Sequence, residues 1–253
     1  MICGFNCIDF GIHFENSGEL SSKLLEKRQN DCKLKDFIVN NRIDAGTLQK
    51  NLFPIKSFDV FISHSHKDQV VAQNLKYWLK EYLNLTSFLD SDVWGSADAI
   101  LNQIDNSDFV SHYRNEQNRV SYSYKDRNLT TSYVHVMLCN AIMQAMDSCK
   151  FVFFLNTPNS IDVEASVKDR ETNSPWLYYE LSVLKYIQKK EVCFNKSFSL
   201  NEQKSQENFI GFPTVDLIKM PKIFYEDLFS LKEVPDVVCQ LRELGVRKLD
   251  GVI

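Results

Sequence analysis

The chain has 253 residues, with 29 Lys+Arg against 33 Asp+Glu and a formal charge of −4. At about 150 residues per domain, that length allows one large domain or one domain with an appendage. The 44 % hydrophobic and 25 % charged content is ordinary for a globular protein, and with only 8 Gly and 6 Pro it excludes collagen-like, low-complexity and linker-dominated chains. The slight acidity argues against a generic nucleic-acid binder, which carries a basic face. No stretch reaches the about 20 apolar residues that cross a bilayer, so no membrane partner is expected. The 7 cysteines form no CxxC pair, which gives no sign of a zinc ribbon or a thioredoxin-type site. They are read as free thiols in a reducing compartment, and a cytoplasmic location is expected.

The segment from Met1 to Phe14 is apolar but lacks a basic leader and contains Asp9, so it makes a poor signal peptide. Residues 1–55 do not follow the alternation of the rest. They hold this apolar start, a helix expected near Glu19–Gln29, and Lys33–Val39. They read as an N-terminal extension, either packed on the core or acting as a small interaction region.

From Lys56 onward strands and helices alternate, the pattern of a parallel α/β sheet, and residues 56–253 are taken as the domain. Phe58–Ser63 is a short apolar run ending in polar residues. Val71, Leu75, Trp78, Leu79 and Tyr82 then form one face of a helix over Asp68–Asn84. Thr86–Asp90 reads as a second strand. A further helix spans Tyr133–Asp147 through Val134, Met137, Leu138, Ala141, Ile142 and Ala145. Phe151–Leu155 is continuous and apolar, as a central strand buried on both faces should be. Ser174 and Pro175 cap and open a helix that runs to about Gln188. Weaker strands are expected at Glu191–Phe194 and Lys222–Tyr225, and a last helix over Pro235–Leu244. Two polar stretches, Ser111–Ser132 and Pro158–Asn173, read as long loops: walls or lids of a site, or surface insertions.

The run Phe58-Asp-Val-Phe-Ile-Ser-His-Ser-His-Lys-Asp68 resembles the first strand and loop of a TIR (Toll/interleukin-1 receptor) domain. Further pieces follow in the family's order. Phe88-Leu89-Asp90 is similar to the end of its second strand, and Trp94-Gly95-Ser96 falls where its BB loop carries a glycine. Ser148–Leu155 resembles its third strand with the lead-in. Ser174-Pro-Trp-Leu-Tyr-Tyr-Glu-Leu181 resembles its W-x-x-x-E helix. Together these pieces cover about three-quarters of the chain. The resemblance implies a flavodoxin-like fold, a five-stranded parallel sheet with helices on both faces, whose ligands sit at the carboxyl ends of the strands.

Many members of the family cleave the nicotinamide–ribose bond of NAD, and others only assemble signalling complexes. The distinction rests largely on one glutamate, which is Glu180 in this chain. The residues themselves make Glu180 unusual, because it lies in a stripe with Trp176, Val183 and Ile187 beside Leu177, Leu181 and Leu184. A carboxylate so bordered by apolar groups either pairs with a nearby Lys or Arg or serves a ligand. One carboxylate is enough for this chemistry. Nicotinamide in NAD is already cationic and leaves neutral, so no general acid is needed, unlike ordinary glycoside cleavage. What remains is to stabilise positive charge growing on the ribose.

The remaining expected NAD contacts are Ser63, His64, Ser65 and Lys67 after the first strand, Asp90, Trp94 and Gly95 after the second, and Trp176. Small hydroxyls, backbone N–H groups and a lysine at a helix start suit a phosphate-bearing ligand. Several enzymatic members of the family carry arginines or other polar residues here, and this chain departs from them with His-Ser-His. Asp68 is read as the cap of the following helix. His64 and His66 lack an evident third metal ligand, so no metal is expected, and NAD as substrate is the only cofactor implied. A stand-alone protein of this kind resembles the NAD-cleaving anti-phage (Thoeris-type) members. That implies self-association through TIR–TIR contacts and a separate effector protein activated by the product. The competing class is a non-enzymatic interaction module, or a virulence factor that intrudes on host TIR signalling.

Overall fold

The computed structural model describes residues 3–14, 34–39, 42–52, 57–89, 91–108, 110, 112–114, 120–161, 171–172, 174–188, 212–213 and 220–249. In chain order the elements begin with β1 (Cys3–Ile8), α1 (Phe10–Phe14), a 3-10 turn (Leu34–Phe37), β2 (Ile38–Val39), β3 (Arg42–Ile43) and α2 (Ala45–Leu52). They continue with β4 (Val60–Ser63), a 3-10 turn (His66–Asp68), α3 (Gln69–Leu83), β5 (Ser87–Leu89), α4 (Ser91–Asp105), β6 (His112–Arg114), β7 (Val120–Tyr122) and α5 (Tyr124–Ser148). The chain closes with β8 (Phe151–Asn156), β9 (Glu171–Thr172), α6 (Pro175–Gln188), β10 (Phe212–Pro213), β11 (Lys222–Ile223), α7 (Tyr225–Phe229), a 3-10 turn (Ser230–Glu233) and α8 (Val237–Leu249).

Five strands form one all-parallel sheet in the order β11-β1-β8-β4-β5, the α/β, flavodoxin-like architecture expected from the sequence. β8 is the middle strand, and Phe151, Val152, Phe153, Phe154 and Leu155 are all buried. Side chains alternate between the faces of a strand. Phe5, Cys7, Val60, Ile62, Phe151, Phe153 and Leu155 point into one core with Phe10 and Phe14 of α1, with Val71, Leu75 and Leu79 of α3, and with Leu241 of α8. Phe61, Ser63, Val152 and Phe154 face the other way, toward α6, whose Glu180 meets Ser63. Helices therefore cover both faces, as a parallel sheet requires.

The sequence reading of residues 1–55 as an extension needs correction, because Cys3–Ile8 is a strand inside the sheet. It pairs along its whole length with β8, from Cys3 with Phe151 to Ile8 with Asn156, and its other side pairs with β11. The signal was present as the alternation of Cys3, Phe5 and Cys7, which point into the core just described. Helix α8 lies close over this strand at Gly245, where a Cβ would come within 2.6 Å of Cys3 Sγ. The helix expected near Glu19–Gln29 and the strand expected at Glu191–Phe194 lie outside the described residues.

Two more expectations change. Ser111–Ser132 was read as a loop, yet it holds an antiparallel hairpin pairing His112 with Tyr122, and α5 begins at Tyr124. Its Tyr, Asn and Arg content hid the first turns of that helix. Trp94-Gly95-Ser96, expected in a loop, belongs to helix α4. Val93, Ala97, Ile100, Leu101 and Ile104 keep helical spacing through it, and one interior glycine costs only about 1 kcal/mol. Of the expected loop Pro158–Asn173, residues 158–161 form turns and 171–172 pair with Phe212–Pro213.

Contacts divide the chain into two compact units, Met1–Glu26 with Ser57–Leu89 and Ala145–Ile253, and Lys27–Lys56 with Asp90–Gln144. The first unit holds the sheet. Its amino edge is tied by Asp59, whose carboxylate accepts bonds from Lys150 Nζ (2.7 Å) and from Thr86 N–H and Oγ1 (2.9 and 2.8 Å). On its flank Lys232 Nζ sits 3.8 Å from the Tyr82 ring centre and 4.1 Å from that of Phe229, fastening the turn after α7 to α3 by cation–π attraction.

Partial burial raises the Asp59 pKa, but the bonds from Lys150 and Thr86 outweigh that and hold it below the ordinary carboxylate value. A depressed folded value stabilises the protein above the unfolded pKa near 4, and that stabilisation is lost as pH falls through the folded one. In thermal melts from pH 6 to pH 2, wild type should therefore lose more stability than Asp59→Asn, and the two curves should converge at the acid end. Burial also raises the thiols, Cys3 to about 11 despite Arg242 nearby and Cys149 to about 12. Cys239 is exposed. At pH 8 a thiolate-selective reagent read out by peptide mapping should label Cys239 in native protein and spare Cys3, Cys7 and Cys149 until denaturant is added.

Candidate functional site

In an open parallel sheet the ligand crevice lies at the carboxyl ends of the two neighbouring strands whose crossovers leave in opposite directions. Here these are β4 and β8. From β4 the chain passes through α3 to β5 on one side, and from β8 it passes through α6 to β11 on the other.

Ser63 is the last residue of β4, and the register aligns it with Phe154 of β8, which aligns with Asn6 of β1. At about 4.8 Å between strands, Asn6 and Ser63 stand about 10 Å apart on one face, either side of Phe154. Both are buried, an unusual setting for polar side chains. Glu180 comes onto this face from the second turn of α6. The helix starts as its sequence dictates, with Ser174 Oγ accepting the Leu177 N–H at 3.4 Å and Pro175 in the first position. Leu177, Leu181, Val183 and Leu184 are buried with Glu180, so packing of this stripe carries the carboxylate in with it. Ser63 Oγ donates a hydrogen bond to Glu180 Oε2. Glu180 is only 1 % exposed and accepts a hydrogen bond from the Ser63 hydroxyl.

The loop after β4 separates the other expected residues by depth. His64 is buried, with Nδ1 3.4 Å from the Ile62 carbonyl oxygen, whereas His66 and Lys67 are exposed. The two histidines are therefore not on one side. Among the described residues no group of three His, Cys, Asp or Glu side chains is placed to hold a metal ion. Ser65 is half-buried at the start of the 3-10 turn. Trp176, one turn before Glu180 on the same stripe, is half-buried. Asp90 lies outside the described residues. Trp94 and Gly95 belong to the second unit and are described only as helical backbone.

Asp68 departs from its expected role. It occupies the N-cap position of α3 but makes no side-chain cap bond there. Instead its buried carboxylate crosses to the loop after β8, accepting Thr157 Oγ1 at 2.5 Å and Asn159 Nδ2 at 2.7 Å. Ser160 completes this turn, donating to the Leu155 carbonyl at 2.8 Å and accepting the Thr157 N–H at 2.9 Å. Thr157, Asn159, Ser160 and Asn6 were missed by the sequence reading. The polar cluster Asn156-Thr-Pro-Asn-Ser160, directly after the strongest strand, was the available signal.

The edge thus holds two buried carboxylates, Asp68 clamping the β4 and β8 loops together and Glu180 above the end of β4. Asp68→Ala leaves the buried Thr157 hydroxyl without its charged acceptor and should cost about 2–3 kcal/mol in denaturant unfolding. Asp68→Asn keeps one acceptor and should cost less than half as much. Compared with known proteins, the chain matches no family model, no curated protein and no solved structure.

Proposed function

We propose that the chain is a TIR-type NAD-consuming enzyme that cleaves the nicotinamide–ribose bond, with a place in bacterial anti-phage defence. The observation that supports this reading is Glu180, a buried carboxylate at the carboxyl edge of a parallel sheet, beside its switch point and oriented by Ser63. In the proposed reaction the bond between ribose C1′ and the pyridinium nitrogen breaks, and its electron pair goes to the ring, which departs as neutral nicotinamide. C1′ is left as an oxocarbenium centre, and the Glu180 carboxylate stabilises that charge. Water attacking C1′ and losing a proton gives ADP-ribose; attack by an adenine nitrogen gives a cyclic or modified ADP-ribose signal. Loss of the exposed His66 and Lys67 would weaken binding of the diphosphate rather than the chemistry.

At 1 % exposure Glu180 is closed off in this conformation, so turnover requires the mouth of the site to open around it. That burial also favours a second reading, in which the Ser63–Glu180 bond simply fastens α6 to β4 in a non-enzymatic TIR interaction module.

The two readings part on Glu180→Gln, which keeps the shape and an acceptor for Ser63 but removes the charge. In NAD-consumption assays at high protein concentration, with chromatography of the products, the enzyme reading expects wild-type turnover. It expects Glu180→Gln to lose at least about 100-fold in kcat with a melting temperature at or above wild type. No turnover by wild type, together with a destabilised Glu180→Ala, would leave the structural reading standing.

A further inference from the structure

Helix α5 is apolar on two opposite faces. Val134, Met137, Leu138, Ala141 and Ile142 form the buried one, at the spacing read from the sequence. On the other, Leu129, Val136 and Met143 follow one another at intervals of seven, with Tyr133 beside them, and all four are 42–60 % exposed. Seven residues at about 100° each return to within about 20° of the same direction, so these side chains form one line. Single exposed apolar residues need no explanation, but a line at heptad spacing is the pattern of a helix–helix seam.

The line ends in opposite charges. Lys125 lies eleven residues before Val136 and Asp147 eleven after it, each about three turns away on the same stripe, and both are exposed. We propose that this face is a self-association surface, on which α5 packs antiparallel against α5 of a second copy about a twofold axis at Val136. Pairing each residue with the one equally far on the other side of Val136 sets Leu129 against Met143 and Lys125 against Asp147. Each contact occurs twice, as an isologous interface requires. The helix dipoles also oppose favourably. Parallel packing would instead set Lys125 on Lys125 and Asp147 on Asp147. The charge pattern is therefore complementary to its own inverted copy.

The seam sets a limit on strength. From Lys125 to Asp147 it runs about 33 Å, and at a width of about 10 Å it offers roughly 330 Å² per copy. Stable complexes use about 800 Å² per partner, so the dimer is weak and depends on concentration. The exposed ion pairs fix orientation more than affinity. The inference is independent of the role of Glu180.

Sedimentation of the full chain over a wide concentration range tests it. The average mass of wild type should rise above the 29.4 kDa monomer with concentration. Val136→Glu, which brings two like charges together at the axis, should weaken association at least tenfold. Lys125→Asp and Asp147→Lys should each weaken it too, while an equimolar mixture of these two variants should regain it, because every 125–147 contact in the mixed pair is again of opposite sign. All these positions are exposed, and matching melts would show that the variants remain folded. A wild type that stays monomeric throughout, a Val136→Glu variant that associates normally, or a mixture no stronger than its two parts would overturn the proposal.

Discussion

The arrangement depends on one constraint, the burial of β8 on both faces. A strand of five consecutive apolar residues, Phe151 to Leu155, can be satisfied only with strands on both sides and helices above and below. β1 and β4 supply the flanks, and crossovers on opposite faces follow from the parallel pairing. Those crossovers diverge after β4 and β8, which is what opens a crevice there. The polar residues at that edge, Asn6 and Ser63, are buried because their strands are. Polar groups so placed need partners. The Ser63–Glu180 bond is thus a consequence of the sheet as much as an addition to it.

Two aspartates hold the sheet at its ends by similar means. Asp59 joins the amino ends of β4, β5 and β8 through Thr86 and Lys150, and Asp68 joins the loops at the carboxyl ends of β4 and β8 through Thr157 and Asn159. Their settings differ in a way that matters. Asp59 is near solvent and paired with a lysine, so its contribution follows pH. Asp68 is buried and met by a hydroxyl and an amide, which fix the loop geometry.

Local patterns made most of the sheet legible. β4, β5 and β8 are short apolar runs bounded by polar residues, and α3 and α6 show one-sided periodicity and, for α6, its cap. Glu180 could be singled out from its apolar neighbours alone. What the sequence hid was pairing at long range. β1 lies next to β8, whose first residue Phe151 pairs with Cys3 from more than half the chain away, and nothing local in Cys3–Ile8 identifies its partner. Asp68 was misread for the same reason: an aspartate before a helix is locally a cap, and only the fold brings Thr157 within reach. In α5, periodicity revealed the buried stripe, but the polar residues between the apolar ones masked both its first turns and its second face.

Glu180 shows how a single contact serves two demands. Burying a carboxylate is costly, and the bond from the Ser63 hydroxyl offsets part of that cost. Had the position been selected only to fasten α6 to the sheet, a leucine in line with Leu177, Leu181 and Leu184 would hold it as well without the desolvation penalty. Keeping the charge makes physical sense if something cationic approaches it. On the proposed reading that cation is a pyridinium that becomes a ribosyl oxocarbenium, because positive charge moves onto the ribose at the moment the bond breaks. On the same proposed reading the closed state has a use as well: with the carboxylate shut in against Ser63, the site would act on NAD only once it opens.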